Sequence, residues 1–283
     1  MQSDSGYHFI ADFLQCQQKF FWNYIQGLIP EHKSKHLLFG DAIHEALAFH
    51  YKNSNRGNYV YANQRVQETI EKFEEVMEKN SPMYKEPDTF VKDRERGIVL
   101  LLNYFNHYKN DYFGLYKPVK VEELVERRLP SGMILTGTID LVPGIEPYHI
   151  VDHKTTGWSI SKLCQSFQTS QQATAYLGLY PQAEFVIFNI LYQNQGVTNF
   201  HREIIYRTKK DIERYLKQAD ILLCQIAEKS VRDTDPDLWH RNDRACMDFN
   251  NKCEYFDLCR GENYALLARN FKKREVEGEG NSN

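Results

Sequence analysis

Apolar side chains recur at helical spacing through residues 8–26, "HFIADFLQCQQKFFWNYIQ", and again through 37–53, "LLFGDAIHEALAFHYKN". Residues 61–79 and 90–112 keep the same period on a more charged background, with the breaker "NSPMYKEPD" between them. The pattern then changes from a period of about 3.6 to one of about 2. Residues 120–129, 132–142 and 147–155 read as three strands of a meander joined by Pro/Gly turns. A helix is predicted over about 160–180, strands over 184–194 and 199–207, and a further helix over 208–229. That last helix opens on Thr208 as N-cap, with Asp211 three residues on. Residues 233–265 are rich in loop formers, and 271–283 have the polar composition of a disordered tail. Helices, three strands, helix, two strands, helix: this order predicts an α/β fold with a mixed central sheet flanked by helices. A helical section of about 37–115 would be inserted ahead of a core of about 119–229.

One strand is chemically out of place. "PYHIVDHKT" has the β-branched and aromatic residues of a buried strand but carries Asp152, His153 and Lys154. Ionisable groups are costly there unless paired or bound to something. Side chains at i and i+2 share a strand face, so Asp152 and Lys154 project together while His153 points away. A hairpin through "PGIEP" brings Asp140 beside Asp152. Two converging carboxylates repel unless a cation lies between them, and a hard divalent ion such as Mg²⁺ or Mn²⁺ suits them. Such an ion activates a bound water and stabilises charge on a phosphoryl oxygen, with Lys154 placed to help. The competing interpretation is a surface strand with an i,i+2 ion pair of little energetic consequence.

Three neighbouring features bear on that choice. "GTID" places Asp140 on the preceding strand, "FGDAIHEAL" has the form G-x-x-x-H (Gly40, His44), and "QQATAY" gives Q-x-x-x-Y (Gln172, Tyr176) on the following helix. His44 taken alone is a candidate core histidine. With Gly137–Asp140 and Asp152–Thr155 these four motifs, in this order, resemble the RecB-like branch of the PD-(D/E)XK nucleases. The resemblance implies a restriction-endonuclease-like core in which His44, Asp140, Asp152 and the backbone carbonyl of His153 hold Mg²⁺ or Mn²⁺. It also implies Lys154 as the catalytic lysine, with Gln172 and Tyr176 on the DNA-facing wall. The second acid is Asp152, where many superfamily members have Glu.

The six cysteines change the picture once more. Cys246, Cys253 and Cys259 are spaced C-x6-C-x5-C, without the short knuckles favoured by zinc ribbons. Wide spacing with a distant fourth ligand suits a cubane iron–sulfur cluster better. Cys16 is the separate candidate, and the set is similar to the iron–sulfur subset that includes AddB-type and CRISPR-associated adaptation nucleases. There one cysteine precedes the G-x-x-x-H helix and three lie near the C-terminus, so a [4Fe-4S] cluster would tie Cys16 to 246–259. Buried thiols or a zinc ion are the alternatives. Cys164 and Cys224 read as buried helical thiols.

Composition narrows the function classes further. A net charge of −3 does not advertise a nucleic-acid binder, so DNA contacts would come from local basic runs at 32–36, 126–128, 207–211 and 269–274. Phe20, Phe21 and Trp22 are expected to pack around the helix of Cys16 rather than stack on bases. No apolar run reaches membrane-spanning length and the N-terminus lacks a secretory pattern, so a reducing cytoplasm is expected (a host's, were the chain viral). No nucleotide-binding G-x-x-x-x-G-K-[ST] loop is present, so unwinding would fall to a helicase or recombination partner. The expectation is one nuclease domain over 1–270 that acts as a metal-dependent DNA exonuclease in recombination, repair or processing. A structure-specific endonuclease and a non-catalytic DNA-end-binding module are the alternatives.

Overall fold

Cys16 interrupts the first predicted helix. Its backbone is extended (φ −161°, ψ 109°), so α1 (Tyr7–Gln15) ends there and α2 (Gln17–Phe20) restarts, running into a π-helical turn at Phe21–Ile25. The short strand β1 (Leu28–Pro30) follows, then three long helices: α3 (Lys35–Lys52), α4 (Ala62–Asn80) and α5 (Pro87–His107). Next come β2 (Lys120–Arg128), β3 (Ile134–Val142) and β4 (His149–Thr156). The predicted helix over 160–180 is two helices, α6 (Ile160–Gln168) and α7 (Gln171–Leu179). The break falls at Ser170, whose side chain caps α7 by accepting from the Ala173 N–H. β5 (Phe185–Asn194), β6 (Val197–Ile205) and α8 (Lys209–Arg232) complete the core. Thr208 caps α8 through the Asp211 N–H, as its sequence predicts. The C-terminal elements are β7 (Met247–Asp248), β8 (Asn251–Lys252), α9 (Phe256–Arg260) and β9 (Phe271–Lys273). This computed structural model describes residues 5–31, 34–54, 62–109, 113, 117–248, 251–261, 269 and 271–274.

The protein is an α/β protein whose five-stranded sheet has the order β2-β3-β4-β5-β6. It is mixed: β4 and β5 run parallel, joined by the α6–α7 crossover, and the remaining neighbours are antiparallel. β4 is therefore central and must be apolar on both faces, which explains "HIV" before the charged run. Helices cover both faces. Ile139, Ile150, Val186 and Phe188 pack with α7 and α8 in one core. Leu141, Val151, Ile187 and Leu191 pack with α3, α4 and α5 in the other.

A third core joins the chain ends. Phe13, Phe20, Phe21 and Trp22 pack with Ile226, Trp239, Tyr255 and Leu258. The aromatic run after Cys16 is thus buried, as expected, rather than free to stack on bases. Residues 271–273, read from composition as part of the disordered tail, instead form β9, paired antiparallel with β1. The polar sequence conceals this because the pairing is by backbone hydrogen bonds, with most of the side chains outward. The remainder of the predicted tail, 275–283, lies outside the described residues. Among the described residues no helix is long and apolar enough to cross a membrane.

Candidate active site

β3 and β4 are paired at Leu141 and Val151. Beyond that pair, the backbone N–H of His153 donates to the Asp140 carboxylate at 2.8 Å. β3 is irregular at this point: Ile139 and Leu141, two residues apart, pack into different cores. Asp140 sits at the switch, 8% exposed, and its Oδ2 lies 3.3 Å from Nδ1 of His44 on α3. Helix α3 reaches this close through Gly40, where even a methyl group would stand 3.4 Å from the Thr155 hydroxyl. The G-x-x-x-H spacing therefore has a local cause: the glycine lets the helix approach the end of β4, and the histidine one turn on meets β3.

Asp152 lies beneath, 1% exposed, with its two oxygens used differently. Oδ1 accepts from Tyr176 Oη at 2.9 Å and from Gln172 Nε2 at 3.1 Å, both from α7. Oδ2 is 2.6 Å from Lys154 Nζ, yet it has no hydrogen bond of good angle and is otherwise an orphan. Burial pulls the Lys154 pKa down, but Asp152 and Asp140 outweigh it and hold the ammonium above its ordinary range. Gln172 and Tyr176 are buried against this acid rather than displayed on an open wall. The His153 ring points into the helical layer, stacked on Tyr51 and 2.8 Å from the Asn189 side chain. Burial, then the charges of His44, Arg202 and Lys154, press its pKa far below the usual histidine range, so it is neutral.

Glu122 is the residue that pattern reading missed. In the β2–β3 register, Val121 faces Leu141 and Glu123 faces Ile139, which puts Glu122 opposite Asp140. Its φ of 46° is left-handed, an uncommon and costly backbone for a glutamate, and such outliers cluster at functional sites. The twist brings its carboxylate into a group with His44 and Asp140 whose ligand atoms all lie within 4.8 Å. Burial, then Asp140, pushes Glu122 up to about 7, while burial and Asp152 push Asp140 up to about 6 against the pull of His44. Strand alternation in "KVEELVERR" cannot reveal this, because positive φ breaks the alternation. Two carboxylates and an imidazole, converging and poorly solvated, fit a hard divalent cation. Tyr7 and His8, at the start of α1, also lie within electrostatic reach of Lys154.

Elsewhere the sequence candidates separate. Arg127 donates to the Gly178 carbonyl and Arg207 to the carbonyls of Phe167 and Ser170, so these members of the basic runs hold helices in place. Arg274 bonds Asn23 and lies over Tyr24. Cys164 is half-buried and Cys224 exposed, not buried as their helical contexts suggested. Cys224 follows Leu223 on α8, whose buried stripe is Tyr215, Ala219, Leu223 and Ile226, and so falls outside it. Among the described residues, no group of ligand atoms within 4.8 Å of one another contains Cys16, Cys246, Cys253 or Cys259. Cys16 and Cys246 both approach Asn242, and Cys253 and Cys259 pack against the third core. Burial raises the Cys259 thiol, and Cys253, Cys16 and Cys246 each add to the rise through their charge. The Asn242 N–H points at Cys16 Sγ, 3.5 Å away, and the Cys253 N–H bonds the Cys246 carbonyl.

A family model for the PD-(D/E)XK nuclease superfamily matches residues 9–260. No curated protein matches the sequence significantly. Among solved structures, a candidate exonuclease from Eubacterium rectale aligns with a TM-score of 0.54 at 13% identity. The match covers 92% of this chain and 88% of that one, and at such identity it speaks for the fold alone. The crystal structure of SSO0001 is 17% identical over 56% of this chain and 80% of its own, with a TM-score of 0.29, too low to bear on the fold.

Proposed function

The chain belongs to the PD-(D/E)XK nuclease superfamily, and from that premise we propose that it is a metal-dependent DNA exonuclease of the RecB-like branch. It would hydrolyse phosphodiester bonds inward from free DNA ends, in recombination, repair or processing. The convergence of Asp140, Asp152 and Lys154, with His44 and Glu122 beside Asp140, carries this reading. The exonuclease assignment draws on the sequence resemblance.

His44, Asp140, Asp152 and the His153 carbonyl would hold Mg²⁺ or Mn²⁺, with Glu122 as a further ligand. Bound there, the ion would lower the pKa of a coordinated water and stabilise charge on a phosphoryl oxygen. The protein's own groups do the rest. Tyr176 and Gln172 fix Oδ1 of Asp152, so the carboxylate cannot rotate. Lys154, kept protonated by the two acids, orients the attacking water and meets the negative charge that builds on the phosphate as the P–O bond breaks. Burial of both acids keeps bulk water from weakening these interactions.

Cys16, Cys246, Cys253 and Cys259 would hold a [4Fe-4S] cluster, within a single nuclease domain spanning 1–270. Their mutual electrostatic reach supports it, and a cubane holds its thiolates further apart than a single ion does. Its role would be structural. It would close a loop over most of the chain and pin the break between α1 and α2 to the C-terminal segment.

The test compares wild type with Asp152→Ala on end-labelled linear and on circular DNA, in Mg²⁺ and in Mn²⁺. Asp152-dependent loss of linear DNA with circles intact is the expected result. Equal cutting of circles would mean an endonuclease. No Asp152-dependent cutting, with DNA binding retained, would mean a non-catalytic end-binding module. Brown colour and iron after anaerobic purification are expected; a colourless, zinc-loaded protein would defeat the cluster.

A further inference from the structure

On the far edge of the sheet, three side chains from a helix and a strand converge without any part in the site above. β6 is an edge strand, and His201 and Glu203 stand two apart on it, on one face. Cys164 descends onto them from α6. The ligand atoms of Cys164, His201 and Glu203 all lie within 4.8 Å of one another. Nε2 of His201 is 3.1 Å from Oε2 of Glu203, and the Cys164 thiol lies within 4.8 Å of both ligand atoms. The other glutamate oxygen accepts from Gln168 Nε2 at 2.8 Å.

We propose that Cys164, His201 and Glu203 form a second, transition-metal site that takes Zn²⁺. A thiolate, an imidazole and a carboxylate make a three-ligand zinc set, and the His201 side chain is 44% exposed, so the site is open to a metal from solution. This donor set is softer than the oxygen-rich group at Asp140, so the two sites would select different ions. Gln168 supplies the outer hydrogen bond that fixes a ligating carboxylate and leaves Oε2 turned toward the metal. A nucleophilic role for the cysteine fits less well. Burial and the charge of Glu203 push its thiol up to about 11, so little of it is thiolate at neutral pH.

The position gives the metal a purpose. Glu203 faces Phe188 across β5–β6, and Phe188 faces Asp152 across β4–β5. Phe167 on α6 stacks on Phe188 at 3.9 Å. A metal clamping α6 to β6 would hold this row, and with it the helix leading into Gln172 and Tyr176.

Co²⁺ titration of the full-length protein tests the site without reference to nuclease activity. The expected result is one equivalent more than Cys164→Ser binds, with a thiolate-to-cobalt charge-transfer band and the intense visible bands of tetrahedral cobalt. Cys164→Ser should remove that charge-transfer contribution. His201→Ala and Glu203→Gln should weaken binding at least about tenfold, with circular dichroism confirming their folds. Bands that survive in Cys164→Ser belong to the other cysteines and are subtracted. In parallel, Zn²⁺ should protect Cys164 from alkylation in peptide mapping. Identical cobalt spectra for wild type and Cys164→Ser, or Cys164 alkylation unaffected by Zn²⁺, would overturn the proposal.

Discussion

Replacing Asp140 by Asn should make the metal-free protein more stable at neutral pH while removing its response to divalent metal. Asp140 is nearly buried, and its carboxyl is held at about 6 against an ordinary 3.8. Burial and the like charge of Asp152 outweigh the pull of His44, Lys154 and the His153 N–H. A shift of that size corresponds to about 3 kcal/mol of penalty on the charged form, at about 1.4 kcal/mol per pKa unit. A raised carboxylate pKa means the folded state holds its proton more tightly than the unfolded chain does. The penalty is thus absent below the unfolded value of 3.8, grows through the interval, and is complete above about 6. The Asn carbonyl can still accept from the His153 N–H, and its amide can donate to Glu122 opposite, so about 1–3 kcal/mol of the penalty should be recovered. Thermal melting in EDTA reads this directly. Wild type and variant should melt together near about pH 4, and at about pH 8 the variant should melt several degrees higher. Adding Mg²⁺ or Mn²⁺ at the higher pH should raise the wild-type midpoint by mass action and leave the variant where it was. A variant that melts below wild type in EDTA at the higher pH, or that gains as much from metal, would refute both the charge penalty and the ligand role.

Four further outcomes follow from the same contacts. Lys154→Ala leaves the 1%-exposed Asp152 without its cation, and should cost about 3 kcal/mol in urea unfolding and at least about 100-fold in cleavage, with DNA anisotropy unchanged. Tyr176→Phe removes one of two hydrogen bonds to Asp152 Oδ1, so stability should fall by about 1.5–3 kcal/mol and the Mn²⁺ needed for half-maximal activity should rise about tenfold or more. Gly97→Ala would set a methyl 2.1 Å from Phe73, and overpacking of about 1–3 kcal/mol should exceed the helix-propensity gain of about 1, lowering the urea midpoint. Cys16→Ser should yield protein without the brown colour of an iron–sulfur cluster and with a lower melting midpoint, because α1 and α2 would lose their tie to the C-terminal segment.

The sequence by itself settled the order of elements and much of the chemistry. Period-2 alternation separated Asp152 and Lys154 from His153, and the run of β-branched residues before them marked β4 as buried. Local cues sufficed there because strand alternation and capping depend on neighbours a few residues away. Thr208 is the clearest instance. What failed was whatever required two distant segments at once. The strand at 271–273 and the packing role of Arg127 and Arg207 depend on partners remote in the chain. Glu122 shows why most plainly. It looks like one of three glutamates on a half-polar strand until β2 pairs with β3, when a left-handed φ turns it across from Asp140. Cys164, His201 and Glu203 are likewise unremarkable apart, on a helix and an edge strand about 40 positions along the chain from each other. Sequence carries the donors. Only the register of the sheet and the close approach of helices decide which donors share a cation, because that depends on distance in space, and burial then sets their charge.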